Sequence, residues 1–191
     1  MSAYKRSGSD NVDSLVIVPE ADHTVRVDPL GQLFDPRKSY TLVGGCSELG
    51  VRITERMVHR GARHIFLTSR RGPRGLTKTD NMYIQSMRDT GTQVMIAADA
   101  VDKVKTAAVV AQAKEAGPIG GIYAMTVVLR DAKFTNLTQQ SFDDVGRSKV
   151  AVLDTLCSCI DPAAIDFLLL FLTIGSVFGN AGPAAYCASQ L

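Results

Sequence analysis

The stretch YTLVGGCSELG, residues 40–50, reads as a strand feeding a phosphate-binding turn and then a helix. That arrangement binds a pyrophosphate because free backbone N–H groups and the helix dipole both face the anion. Gly44, Gly45 and Gly50 supply part of it, letting the chain take positive φ and approach phosphate closely. Ser47 and Glu48 stand where such turns usually keep glycine. A left-handed Ser47 is expected to cost about 1–2 kcal/mol, partly offset by its hydroxyl donating to a phosphate oxygen. A Glu48 carboxylate about 6 Å from a phosphate, at an effective dielectric near 20, costs roughly 3 kcal/mol, an upper figure if it points to water. Taken alone, the turn reads equally as a strand-to-helix connection that holds no ligand.

Outward from this turn the pattern is regular. Apolar runs YTLVG, HIFLTS, QVMIAAD, GGIYAMT and DFLLLFLT alternate with stretches of helical spacing, which predicts parallel strands with crossover helices, an α/β fold of the doubly wound type. In the first crossover Leu49, Ile53 and Met57 recur every four residues and are expected to form the buried stripe, with Gly61 ending the helix. FLLLFLTIG, at 167–175, is too short for a membrane helix and is read as a buried strand. Residues 1–13 are expected to be a disordered leader, 14–38 an extended linker with short pieces SLVIVP and TVRVD, and 39–191 the folded domain.

Composition narrows the function. The chain has 191 residues, 46% hydrophobic and 21% charged, which fits one soluble domain. A net charge of +2 gives no field for nucleic acid. The four cysteines and three histidines lack ligand spacing, so no metal site is expected. The polar start MSAYKRSGSDNVDS has no apolar h-region and does not read as a signal peptide, and reduced thiols in the cytoplasm are the expected default.

Two further features point to a dinucleotide. The strand HIFLTSRRG ends in Ser69, Arg70 and Arg71, where such folds choose between cofactors: an acid binds the ribose hydroxyl of NAD, a guanidinium pairs with the 2′-phosphate of NADP. Arginine here favours NADPH. Asp99 is placed either to contact the adenine edge or to cap the helix beginning near Asp102. At the far end, Tyr186 lies thirteen positions beyond Thr173 (173 to 186), a spacing that lets a strand-end hydroxyl and a helical phenol converge. Carbonyl reduction needs such a pair, since the alkoxide formed must be protonated and held by hydrogen bonds. A phenol does this when a nearby ammonium lowers its pKa from about 10, and Lys149 on the preceding helix is the candidate.

The runs YTLVGGCSELG, RGARHIFLTSRRG, GPIGGIYAMTVVLRDAKFTNLTQQSFDDVGRSKV and DFLLLFLTIGSVFGNAGPAAYCAS resemble, in unbroken order over about residues 25–191, the ketoreductase domain of a highly reducing, fungal-type polyketide synthase, in the short-chain dehydrogenase/reductase superfamily. The resemblance implies a Rossmann fold, NADPH, and reduction of a β-keto acyl chain held on an acyl carrier protein. It implies Tyr186 as catalytic acid, Lys149 as catalytic lysine and Thr173 as the hydroxyl that orients the carbonyl. It implies Gly44, Gly45, Ser47, Leu49, Gly50, Ser69, Arg70, Asp99 and Thr126 as cofactor-binding, with Lys149 and Tyr186 shared.

The sequence departs from the family at Thr173, usually serine, and Gln190, usually asparagine. The family also continues with two further strands, so the sheet is expected to be incomplete at its C-terminal edge. FLLLFL then offers an open edge that invites association with a partner or a second copy. Two alternatives stand beside the reductase: an inactive remnant or interaction module that keeps the sheet, and a small-molecule short-chain dehydrogenase, against which VVLRDAKFTNLT speaks.

Overall fold

The computed structural model describes residues 31–98, 102–132, 134–178 and 184–189. The expected leader, the pieces SLVIVP and TVRVD, Asp99 and Gln190 lie outside the described residues. Five parallel strands form one sheet: β1 (Ser39–Val43), β2 (His64–Ser69), β3 (Gln93–Ala98), β4 (Ile119–Ala124) and β5 (Phe167–Leu170). Their order is β3-β2-β1-β4-β5, so the chain reverses its direction of travel across the sheet between β1 and β4. This is the doubly wound sheet expected from the alternation and the Rossmann-like fold implied by the resemblance, and in such sheets the crevice at the reversal is where ligands bind.

Helices cover both faces. Strand β1 alternates, with Tyr40 and Leu42 packing beside Val51, Met57 and Ile84, while Val43 packs with Val109, Val152 and Leu156. A strand buried on both sides is the natural product of crossover helices. Those helices are α1 (Glu48–His59), α2 (Lys78–Asp89), α3 (Lys103–Ala116), and α4 (Gln139–Gly146) followed through a π-turn at Arg147–Ala151 by α5 (Val152–Cys159). Short helices α6 (Gly175–Phe178) and α7 (Ala184–Ala188) come last.

Local chemistry explains the starts. Thr77 and Asp80 form a reciprocal capping box at α2, and Thr138 and Ser141 another at α4, each satisfying donors that the first turn leaves unpaired. Asp102 caps α3 by accepting from the N–H groups of Val104 and Lys105. Gly61, with φ of 107°, follows the end of α1 as expected.

Two expectations are corrected. The buried face of α1 is Gly50, Val51, Thr54, Met57 and Val58, while Leu49 is 55% exposed. The stripe is rotated toward Val51 and Thr54 because Gly50 must sit against the preceding turn. The compact unit runs from Gln32, so residues 32–38 pack with the sheet. The N–H groups of Leu33 and Phe34 donate to the Arg60 carbonyl, and the Phe34 ring meets Tyr40 edge-on at 5.1 Å. Finally, β5 is not a buried strand: it is short, and Leu169 and Leu170 are about two-fifths exposed. It pairs with β4 alone among the described strands, so its apolar run extends past the cover available to it. Among the described residues no helix is long and apolar enough to cross a membrane.

Candidate active site

A cavity of about 760 Å³ opens at the carboxyl ends of the strands, at the β1/β4 reversal. Its wall is built from four strand ends. Gly44, Cys46, Ser47 and Leu49 come from the turn after β1; Ser69, Arg70, Arg71 and Gly75 from the segment after β2. Met125 to Val128 follow β4, and Phe171 and Leu172 follow β5. Ser148 of the π-turn and Tyr186 of α7 close it.

The glycine turn is packed backbone against backbone. Gly44 has φ of 81°, and a Cβ on it would stand 3.0 Å from the Thr126 nitrogen. A Cβ on Gly50 would stand 2.1 Å from the Gly45 carbonyl oxygen, so the first turn of α1 lies directly on the loop. Gly44 therefore lines the cavity, whereas Gly45 and Gly50 lie beneath it and hold its shape.

Ser47 corrects the expectation of strain: its φ is −112° and ψ 162°, ordinary extended backbone, and its side chain caps α1 by accepting from the Gly50 N–H at 3.1 Å. Glu48 is exposed and does not line the cavity, so the repulsion weighed for it is relieved toward water. Its carboxylate lies in the first turn of α1, where the helix dipole favours negative charge.

Arg70 and Arg71 are exposed at the opposite rim, and neither makes an ion pair among the described residues. Between them and the glycine turn lies a small packed group. The Ser69 hydroxyl donates to the Gly72 carbonyl at 3.1 Å, which fixes the 3-10 turn Gly72–Gly75 back over the cavity. A Cβ at Gly75 would meet the Ser69 Oγ at 3.3 Å and the Cys46 Cβ at 4.0 Å. Burial pushes the Cys46 thiol up, opposed by its hydrogen bond with Ser69. A backbone-lined turn at a helix start, facing the Arg70 and Arg71 guanidiniums across a cleft of this size, fits a nicotinamide dinucleotide.

At the other end, Tyr186 lines the cavity and packs against Val128, Val145 and Ala185, a small cluster that joins α7 to α4. Lys149 is half-buried in the π-turn, and its Nζ donates to the Phe171 carbonyl at 2.6 Å, at the end of β5. Burial lowers the pKa of this amine below the usual lysine range. Thr173 accepts from the Gly175 N–H at 3.2 Å through its Oγ1. Of the three groups expected at the reacting end, Tyr186 alone lines the cavity; Lys149 reaches its wall through Phe171, and Thr173 follows Leu172, the last wall residue after β5.

Thr126 lines the cavity, with its hydroxyl turned to the Ser148 carbonyl. Cys46, Gly75, Ser148 and Phe171 were not singled out from sequence. The glycine in RRGPRG was the available signal for Gly75, but it becomes a wall only because the 3-10 turn folds back. Among the described residues no group of three His, Cys, Asp or Glu could hold a metal ion.

Comparison with known proteins agrees with this geometry. The KR domain family matches residues 38–190. Highly-reducing polyketide synthase 1 of Aureobasidium melanogenum is 31% identical over 185 residues, covering 95% of this chain and 8% of the synthase. Reducing polyketide synthase PKS1 of Cochliobolus heterostrophus is 36% identical over 160 residues, covering 83% of this chain and 6% of the synthase. The chain thus spans less than a tenth of the length of these relatives. Among solved structures, the first ketoreductase of the tylosin polyketide synthase superposes with a TM-score of 0.71 at 30% identity, over 82% of this chain and 34% of that one. A-type ketoreductases from a modular polyketide synthase give 0.73 at 27%, over 91% and 36%. The glycine turn, the sheet order and the tyrosine on the cavity wall therefore share one explanation: the chain belongs to the KR domain family, the ketoreductase domains of polyketide synthases.

Proposed function

We propose that the chain serves the NADPH-dependent reduction of a β-keto acyl thioester to the β-hydroxy thioester in polyketide biosynthesis, on an intermediate held by an acyl carrier protein within or beside a synthase. The observation that carries this reading is the Tyr186 phenol on the wall of a cavity whose other end is the glycine turn with Arg70 and Arg71. When bound, NADPH would supply a hydride to the carbonyl carbon. Tyr186 gives its phenolic proton to the carbonyl oxygen, so the ketone becomes the alcohol with charge and atoms balanced. Lys149, as the ammonium, stabilises the tyrosinate left behind, and the Thr173 hydroxyl donates to the carbonyl oxygen. Arg70, beside Arg71, pairs with the 2′-phosphate and sets the preference for NADPH over NADH.

The test is a fluorescence titration of the purified chain with NADPH and with NADH, followed by turnover of a β-keto thioester by the parent and by Tyr186→Phe. Micromolar NADPH binding, weaker NADH binding, and turnover abolished by Tyr186→Phe are expected; equal turnover in that variant removes the mechanism. A second reading, a module that binds nucleotide without reducing anything, draws on one observation: the Lys149 amine is held by the Phe171 carbonyl and does not itself line the cavity. NADPH binding with no turnover in the parent would favour it.

A further inference from the structure

The loop after β4 and the π-turn are joined by one hydrogen bond. Thr126 follows β4 directly, and its Oγ1 donates to the carbonyl of Ser148, inside the π-turn Arg147–Ala151. Ser148 is buried, and its own hydroxyl donates to the Val145 carbonyl at 2.7 Å, one turn back. The next residue is Lys149, whose Nζ reaches the Phe171 carbonyl. Two strand ends are therefore coupled in series through the π-turn: the end of β4 by Thr126 to Ser148, and the end of β5 by Lys149 to Phe171.

A π-turn carries one residue more than the α-helix it interrupts, so everything beyond it is rotated by about 100° relative to an unbroken helix. The aim of Lys149 toward β5 thus depends on where the extra residue is lodged. A π-turn also breaks the regular ladder, and backbone groups there need other partners if buried. The Thr126 hydroxyl is such a partner for the Ser148 carbonyl, one residue from the lysine.

We infer that Thr126 is a positioning residue for Lys149, acting through the Ser148 carbonyl and the π-turn, rather than a direct ligand of a bound cofactor. As a statement about reduction the inference rests on the ketoreductase reading above; as a statement about where the amine points it does not. Losing the hydroxyl frees the turn to shift its register and releases Lys149 from the Phe171 carbonyl.

The experiment uses the full chain labelled with ε-¹³C lysine, with the Lys149 ε-methylene resonance assigned by its disappearance in Lys149→Arg. In Thr126→Val, which keeps the branched shape and removes the hydroxyl, that resonance is expected to leave its separate position and join the exposed lysines. Thr126→Ser, which restores the hydroxyl, should return it. Thr126→Ala gives the same reading should the valine variant melt too early to study. A Lys149 resonance unmoved in the valine or alanine variant overturns the inference, as does one that moves in valine and is not restored in serine. Absence of ketone turnover in the parent alongside the expected resonance pattern would sink the ketoreductase reading alone.

Discussion

Gly50→Ala and Gly146→Ala add the same methyl group within a helix, and the structure requires them to act in opposite directions. At Gly50 the added Cβ would lie 2.1 Å from the Gly45 oxygen, 2.6 Å from its carbonyl carbon and 2.7 Å from its Cα. All three are backbone atoms, so no rotamer change relieves the clash. The turn must move by about 1 Å, toward the upper end of the roughly 1–3 kcal/mol that overpacking costs. Alanine returns about 1 kcal/mol through its better helix propensity, leaving a net loss of about 2 kcal/mol. For a domain of this size that lowers Tm by about 4–8 °C. At Gly146, where φ is −58° and a Cβ would meet nothing within 4 Å, the gain is about 0.4–1 kcal/mol and Tm should rise by about 1–4 °C. Calorimetry on the two variants beside the parent reads both signs, and a fluorescence titration should find NADPH affinity reduced at least about tenfold in Gly50→Ala only. A Gly50→Ala protein that melts at or above the parent would refute the packing of the turn and the reasoning built on it.

Other perturbations test separate parts of the molecule. Arg70→Ala should weaken NADPH binding by roughly 10- to 100-fold, the loss of a charge-assisted contact of about 1.5–3 kcal/mol, while leaving NADH binding nearly unchanged; an equal loss for both cofactors would deny the 2′-phosphate role. Cys46, buried with its thiol pKa raised, should react with iodoacetamide at pH 7.5 more slowly than the exposed Cys157, and NADPH should slow it further; mass spectrometry of the labelled chain reports both rates. Side-chain and backbone hydrogen bonds with Arg37 hold the Asp35 carboxyl down at about 2, against 3.8 ordinarily. A depressed folded pKa contributes stability that is present above about 4 and is lost as pH falls toward 2, so Asp35→Asn should flatten the fall in urea midpoint across that window. An unchanged pH profile would show that the pair has no linkage to folding.

Much of the architecture was legible because it rests on short-range patterning. The alternation of apolar runs gave the strands, and Asp102 and Gly61 mark helix boundaries by mechanisms that operate within a few residues. The stripe on α1 was misread because its face is chosen by a contact at a distance, Gly50 against Gly45, which no periodicity reports. Ser47 looked damaging in sequence since a turn position cannot be assigned a φ from its residue alone; in place, it caps the helix. The π-turn left no trace in GRSKVAV, because inserting one residue into a helix changes neither composition nor apolar spacing enough to be seen. Cys46 and Gly75 become neighbours only when the Ser69 hydroxyl draws the 3-10 turn back across the sheet end.

The position of β1 in the middle of the sheet has a consequence for synthesis. Its β2 partner follows within the same half of the chain, but its other partner, β4, begins only at Ile119. On the ribosome, three strands can pair as soon as Ala98 has emerged, while the outer flank of β1 waits for residues not yet translated. At about 5–20 residues per second that interval is on the order of seconds, long compared with hairpin closure in microseconds. Throughout it the nascent chain displays Ser39–Val43, the strand destined to be the most enclosed, as a bare template.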